Sequence, residues 1–440
     1  MSAASEGLLE RLARIWEGVD HPFLIHPAGN LTFADILGQP PVDLTSVHRG
    51  DVVALIGDFD ARSVHTLLRL FDLGAIVVPL TAATRAQHDY FLETALVDTV
   101  IDAAGVHRRE NRHLRPRTHP LLEELRNDET AGLILFSTGT TGQPKAILHD
   151  LDHFIRRFDR PNPGLRALSF LLFDHIGGLN TLLQALFNRR VIVAPSGRTV
   201  DAVLDDCRRH GVEALPATPT FLRMLLLSGA VPQGVPETIR LITYSTERMD
   251  QPTLDALCAL LPDVEFRQTF GMSELGIMRV ASKARDSLFF NLGGRGVETR
   301  TVDNVLWIRT PARMRGYLNA PSPFDSEGWY NTGDIVVERD GFYKVTGRAD
   351  DVINVGGLKF MAAEVEQAAL ALDAVLFAKA VGRDNPLTGQ HVELLVQPVP
   401  GANLDTAELK AQLQQRLPAH MMPRRLRIDA VPVSHRYKLV

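Results

Sequence analysis

The sequence predicts an α/β protein with a large N-terminal domain of parallel sheets covered by helices, a β-barrel-like subdomain after it, and a small α+β domain at the C-terminus. Three observations carry this. Apolar runs alternate with helical 3–4 patterns through most of the chain; short β-rich segments with Gly and Asp turns take over from about Asn291; and helix–strand alternation resumes over roughly the last ninety residues. At 440 residues the chain exceeds what one hydrophobic core usually supports, so two or more domains are expected.

The segment MSAASEGLLERLARIWEGVD carries acidic residues and no uninterrupted apolar stretch, which reads as an amphipathic helix rather than a signal peptide. From Gly50 an apolar run (GDVVALIGD), a helical pattern (ARSVHTLLRLFDLG) and a second apolar run (AIVVPLT) make one βαβ unit. The same rhythm returns in ALSFLLF, GGLNTLLQALFN, RVIVAP, TVDAVLDDCRRHG and VEALPA, and again in IRLITY, QPTLDALCALL and VEFRQTF. NVLWIRT, GWYNTGD and GFYKVTGR then predict a barrel or small antiparallel sheet. AAEVEQAALAL, AVLFAKAVGR, HVELLVQP and LDTAELKAQLQQRLPAH suffice for a small α+β domain.

Apolar residues at 45% and charged residues at 22% place the chain among ordinary globular proteins. A net charge of -5 gives no field that would draw it to nucleic acid or an anionic membrane, and no stretch approaches the length of a membrane span. Cys207 and Cys258 share no metal-ligand spacing and are too few for a disulfide framework, which predicts a reducing, cytoplasmic setting.

The chemistry is concentrated in six ordered segments. Ser137-Thr-Gly-Thr-Thr-Gly-Gln-Pro-Lys145 follows the apolar strand AGLILF; its glycines let backbone N–H groups and hydroxyls approach phosphate oxygens, and Lys145 adds a point charge. It is not the Walker loop, because Pro144 precedes the lysine and Ala146 follows it. Phe270-Gly-Met-Ser-Glu274, Trp329-Tyr-Asn-Thr-Gly-Asp334, Gly347-Arg-Ala-Asp-Asp351, Val355-Gly-Gly-Leu-Lys359 and Ser434-His-Arg-Tyr-Lys438 follow in that order. The set resembles the adenylate-forming superfamily of acyl-CoA synthetases, firefly-type luciferases and peptide-synthetase adenylation domains, over roughly Gly50 to Lys438, and is nearest to the acyl-CoA or acyl-carrier-protein ligases.

The resemblance implies an ATP- and Mg²⁺-dependent ligase that makes an acyl-adenylate and passes the acyl group to the thiol of CoA or of a phosphopantetheinyl carrier protein. It implies a large domain over residues 1–349 and a small mobile domain over 350–440, turning about Asp350. Ser137, Thr138, Gly139, Thr140, Thr141, Gly142 and Lys145 would hold the phosphates, Ser245 and Phe270 would stand near the adenine, and Thr269 would bind the cofactor beside the acyl group. Ser273 would contact phosphate, Glu274 Mg²⁺, Asp334 the ribose diol and Arg348 its vicinity. Lys359 would lie near the phosphates, Gly357 would line the pantetheine channel, and Lys438 would bridge the substrate carboxylate and the α-phosphate. Two positions depart from the pattern: Tyr437 stands where glycine is usual before the lysine, and Ser245 replaces a glycine against the adenine.

For the acid, His175 aligns with a substrate-gating position, and Ile176 stands where amino-acid-activating members carry Asp, so an α-ammonium would be desolvated without a partner. Gly177, Asn180, Ile242, Tyr244, Ile277 and Met278 complete the acyl positions and suit an aliphatic or aromatic acid. Two alternatives stay open: an amine acceptor, giving an amide-forming synthetase, and a nucleotide-binding homologue without catalysis. A monomer or simple homodimer is expected.

Overall fold

The computed structural model describes residues 7–109, 119–137, 143–158, 164–231, 234–294, 296–434 and 436–439. The βαβ unit falls where the periodicity places it. Val52–Ile56 and Ile76–Leu80 pair in parallel, flanking the helix Ala61–Leu73. That helix starts because the Asp60 carboxylate accepts the Ser63 N–H at 2.8 Å, and it stops at Gly74, whose φ of 79° only glycine adopts freely.

This unit is the centre of a seven-stranded sheet in which Gly132–Phe136 and Thr99–Asp102 add in parallel, with antiparallel strands at both edges. A second seven-stranded sheet runs Glu265–Gln268, Leu241–Tyr244, Ala214–Ala217, Ala167–Leu168, Ile192–Val193, Leu24–His26, Gly29–Leu31 and is parallel except at its last edge. Buried cores under each sheet contain aliphatic and aromatic side chains from the covering helices. The amphipathic N-terminal segment forms the helix Leu8–Ile15.

The β-rich part is one seven-stranded antiparallel sheet. It begins at Phe270–Met272 rather than near residue 291, so two of the chemistry-bearing segments, those ending in Glu274 and Asp334, belong to the same sheet. Beyond a short 3-10 turn at Ala349–Asp351, Val352–Val355, Leu358–Met361, Val375–Asn385, Gly389–Pro398 and Arg425–Ile428 build a five-stranded sheet, with the helices Ala362–Leu370 and Thr406–Gln414 and a core of its own. No helix among the described residues is long and apolar enough to cross a membrane.

Candidate active site

The ends of the phosphate-loop segment are tied together: the Ser137 N–H donates to the Lys145 carbonyl at 3.0 Å, and the Lys145 N–H donates to Ser137 Oγ at 3.0 Å. Thr138, Gly139, Thr140, Thr141 and Gly142 lie outside the described residues. The Lys145 ammonium stands 4.9 Å from the centre of the Tyr317 ring, and the Tyr317 hydroxyl donates to Glu274 Oε1 at 2.8 Å. Tyr317 therefore joins the cation of one segment to the carboxylate of another. The Ser273 carbonyl accepts from His149 Nε2 at 2.6 Å; burial drives the His149 pKa down to about 4, so the imidazole is neutral and acts as a fixed donor.

The ribose-binding candidates meet across one ladder, with Asp334 directly opposite Arg348 and a guanidinium nitrogen 3.7 Å from its carboxylate. Burial raises Asp334 to about 6, with Arg348 opposing. Gly333 between Thr332 and Asp334 has φ 71°, so the backbone conformation calls for glycine there.

His175 caps the helix Ile176–Asn188: its Nδ1 accepts the Gly177 N–H at 3.0 Å, which leaves the proton on Nε2. Burial and the neighbouring Arg436, Lys438 and Arg198 cations hold its pKa well below the ordinary value. A Cβ on Gly178 would collide with the Leu172 carbonyl oxygen, so the loop carrying His175 folds back on this helix only because residue 178 has no side chain.

The tail closes the site. Lys438 is half-buried, with Glu247 as its counter-charge and Arg436 and Arg348 as like-charged neighbours, and its pKa falls to about 8, first through desolvation. Glu247 accepts the Leu439 N–H at 2.8 Å and the Thr220 hydroxyl at 2.7 Å. Arg436 stands 3.6 Å from Asp174, whose other oxygen accepts from Thr81 and Thr84. Tyr437 packs against Phe170 and Phe221, with ring centroids 5.4 and 5.6 Å away, and its hydroxyl donates to the Arg198 carbonyl. Leu171, Leu172, His175, Arg198, Thr246, Arg436 and Lys438 enclose a cavity of about 10 Å³, room for one water.

Not every expected residue is brought to this point. Ile242 and Tyr244 share the face of their strand that packs into the core with Leu222, Leu254 and Leu257, while Leu241 and Thr243 lie on the opposite face. Ile277 packs against the core containing Ile176, whereas Met278 turns into the antiparallel sheet, and Phe270 stacks on Phe290 at 5.4 Å. Asn180 and Ser245 are half-buried, Thr269 is held by its N–H bond to the Tyr244 carbonyl at 2.9 Å, and Gly357 and Lys359 are exposed around a hairpin turn. Asp350 is exposed in the 3-10 turn between the sheets. Asp174, Glu247, Tyr317, His149 and Arg198 are site residues that the motifs did not flag; of these only Asp174, next to His175 in an otherwise apolar stretch, stands out in the sequence.

A phosphate-loop segment closed at its base, a buried Asp334 opposite the exposed Arg348, and Lys438 from the tail suit nucleotide-dependent acyl transfer. The AMP-binding enzyme family matches residues 44–318 and its C-terminal domain matches residues 364–436, so the chain belongs to the AMP-binding enzyme family. It is an enzyme of the AMP-forming acid–thiol ligase class within the adenylate-forming superfamily. The sulfoacetate–CoA ligase of Cupriavidus necator is 26% identical, covering 93% of this chain and 91% of that protein. The medium/long-chain-fatty-acid–[acyl-carrier-protein] ligase of Mycobacterium tuberculosis is 25% identical over 93% of this chain and 84% of its own length. A crystal structure of an anthranilate CoA ligase with anthranoyl-AMP shares the fold with a TM-score of 0.80 at 17% identity, covering 98% of this chain and 95% of that one.

Proposed function

We propose that this chain activates an aliphatic or aromatic carboxylic acid as its adenylate and transfers the acyl group to the thiol of CoA or of a phosphopantetheinyl carrier protein. The observation that carries the reading is the placement of the half-buried Lys438: the next residue's N–H is held by Glu247, His175 of the acid side lines the same small cavity, and Arg348, opposite Asp334, is a neighbouring cation.

In the first half-reaction a carboxylate oxygen of the acid attacks the α-phosphorus of ATP and the bond to pyrophosphate breaks. Two negative groups must approach, so the site supplies cations: Lys438 at the meeting point of carboxylate and α-phosphate, and Lys145 at the closed base of the phosphate loop. Asp334 accepts from the ribose hydroxyls and Arg348 holds that carboxylate in place. Among the described residues no group of three or more His, Cys, Asp or Glu could hold a metal by itself. Glu274 fits Mg²⁺ as a single carboxylate beside a triphosphate, and the ion supplies charge neutralisation there when bound.

In the second half-reaction a thiolate attacks the acyl carbon, the acyl–phosphate bond breaks, and AMP leaves with the electron pair. Rotation about Asp350 would withdraw Lys438 and bring Gly357, exposed in the orientation described here, to the thiol's path. An α-amino acid is a poor substrate in this reading, since Ile176 offers its ammonium no partner and Arg198, Arg436 and Lys438 repel it. CoA and the carrier arm present the same thiol, and both kinds of ligase occur among the relatives.

The test is pyrophosphate release with ATP, Mg²⁺ and a panel of aliphatic, aryl and amino acids, with mass analysis of the product after adding CoA, a carrier protein or an amine. Acid-dependent release with a thioester product supports the reading. An amide product moves the chain to the amine-acceptor class, and binding of ATP with no release for any acid leaves a nucleotide-binding protein.

A further inference from the structure

Lys438 can act only while the C-terminal sheet and its helices are docked in the orientation that delivers the tail, and one side chain outside the nucleotide site, Arg223, makes three hydrogen bonds across that junction, near an Arg248–Glu366 ion pair at 3.9 Å. Arg223 lies on the helix Pro219–Leu227 and is 6% exposed. Its Nε donates to the Leu376 carbonyl at 2.5 Å, and its Nη2 to the Val375 carbonyl at 2.7 Å and the Leu370 carbonyl at 3.0 Å. Leu370 ends the helix Ala362–Leu370, where carbonyls lack partners within the helix and the dipole favours a cation; Val375 and Leu376 open the next strand.

The rear of the guanidinium is supported from its own side: Nη1 donates to Thr253 Oγ1 at 2.7 Å and stands 3.7 Å from Asp250 Oδ1. Releasing the three carbonyls therefore costs hydrogen bonds that water can replace and leaves no stranded charge, which suits a contact that must open. The contact is also continuous with the tail. Leu376, Phe377 and Val431 form one apolar cluster with Met224 and Leu227 of the arginine's helix and with Leu439, the residue after Lys438.

We propose that Arg223 is a positioning residue for Lys438: it latches the C-terminal unit in the adenylate-forming orientation, favouring the first half-reaction over thiol transfer. This rests on the two-step reading above. In Arg223→Met, acid-dependent exchange of pyrophosphate into ATP should fall at least about tenfold, about 1.4 kcal/mol, while single-turnover thiol transfer from supplied acyl-adenylate should not fall. Arg223→Lys should lie between the two, and Arg223→Met should add no further loss in a Lys438→Ala background, because the latch acts through that lysine. Equal loss in both half-reactions, or an effect additive with Lys438→Ala, overturns the proposal.

A second measurement is independent of activity. With Cys207 and Cys258 replaced, spin labels at the exposed Val302 and Leu387 report the distance between the antiparallel sheet and the C-terminal unit. One narrow distribution in the parent that broadens or splits in Arg223→Met supports the latch, and an unchanged distribution overturns it. If the parent activates no acid, the ligase reading fails while this measurement still decides the latch.

Discussion

Tyr437 adopts φ 54°, the left-handed region that costs a residue with a Cβ roughly 1–2 kcal/mol. Where glycine would sit without strain, this chain offsets the strain with two ring contacts, each worth about 0.5–1.5 kcal/mol beyond area burial. First-half-reaction rates should thus rank Tyr above Gly above Ala at position 437, because alanine keeps the strain and loses the rings; pyrophosphate exchange by the three forms measures this, and alanine matching tyrosine would refute it. The two titrating groups of the site fix a pH window. In the proposed roles Asp334 accepts the ribose hydroxyls as a carboxylate and Lys438 meets the α-phosphate as an ammonium, so kcat/KM for adenylation should rise through about pH 6 and fall above about pH 8. In Lys438→Arg the alkaline limb should vanish from whatever rate remains. Both groups oppose folding at neutral pH: Asp334, raised from 3.8, favours the folded state as pH drops from 6 towards 4, and Lys438, lowered from 10.5, favours it as pH climbs from 8 towards 10.5.

At the scale of elements, the helix Ile176–Asn188 depends on its second glycine. Gly178→Ala drives a Cβ into the Leu172 carbonyl, backbone that cannot swing aside, and should cost about 1–3 kcal/mol in chemical denaturation while displacing His175. A variant as stable as the parent would show that this turn yields. The elements were legible in proportion to their periodicity. Val52–Leu80 follows a strand–helix–strand pattern and is found there, but the antiparallel sheet starts at Phe270, earlier than composition suggests, because the strands Phe270–Met272 and Gly276–Ser282 flank the turn Ser273-Glu274-Leu275 and the first is only three residues long. The strand Leu241–Tyr244 has apolar or aromatic candidates for both faces, so alternation could not tell that Ile242 and Tyr244 turn inward. Tyr317 and Glu247 belong to no pattern; they become visible only when sheets distant in sequence converge. Arg223 did leave a trace, a lone cation in the apolar helix sequence PTFLRMLLL.

For the whole molecule, the site is assembled from all three seven-stranded sheets and the tail, so a ligand spanning it should stabilise the chain globally. A non-hydrolysable acyl-sulfamoyl adenosine at about a thousand times its Kd should add about 4 kcal/mol, read as a rise in melting temperature, and that gain should shrink in Asp334→Asn. An equal rise in both proteins would place the nucleotide elsewhere. The ion pair between Asp174 and Arg436 has a consequence of another kind. The two residues lie 3.6 Å apart with almost no solvent, yet far apart in the sequence, so they mutate independently. Either one changed alone strands a buried charge, an intermediate genotype less stable by about 3–5 kcal/mol. Lineages should therefore keep both or lose both, and a descendant that has a neutral residue at 174 should have shed its arginine at 436 as well.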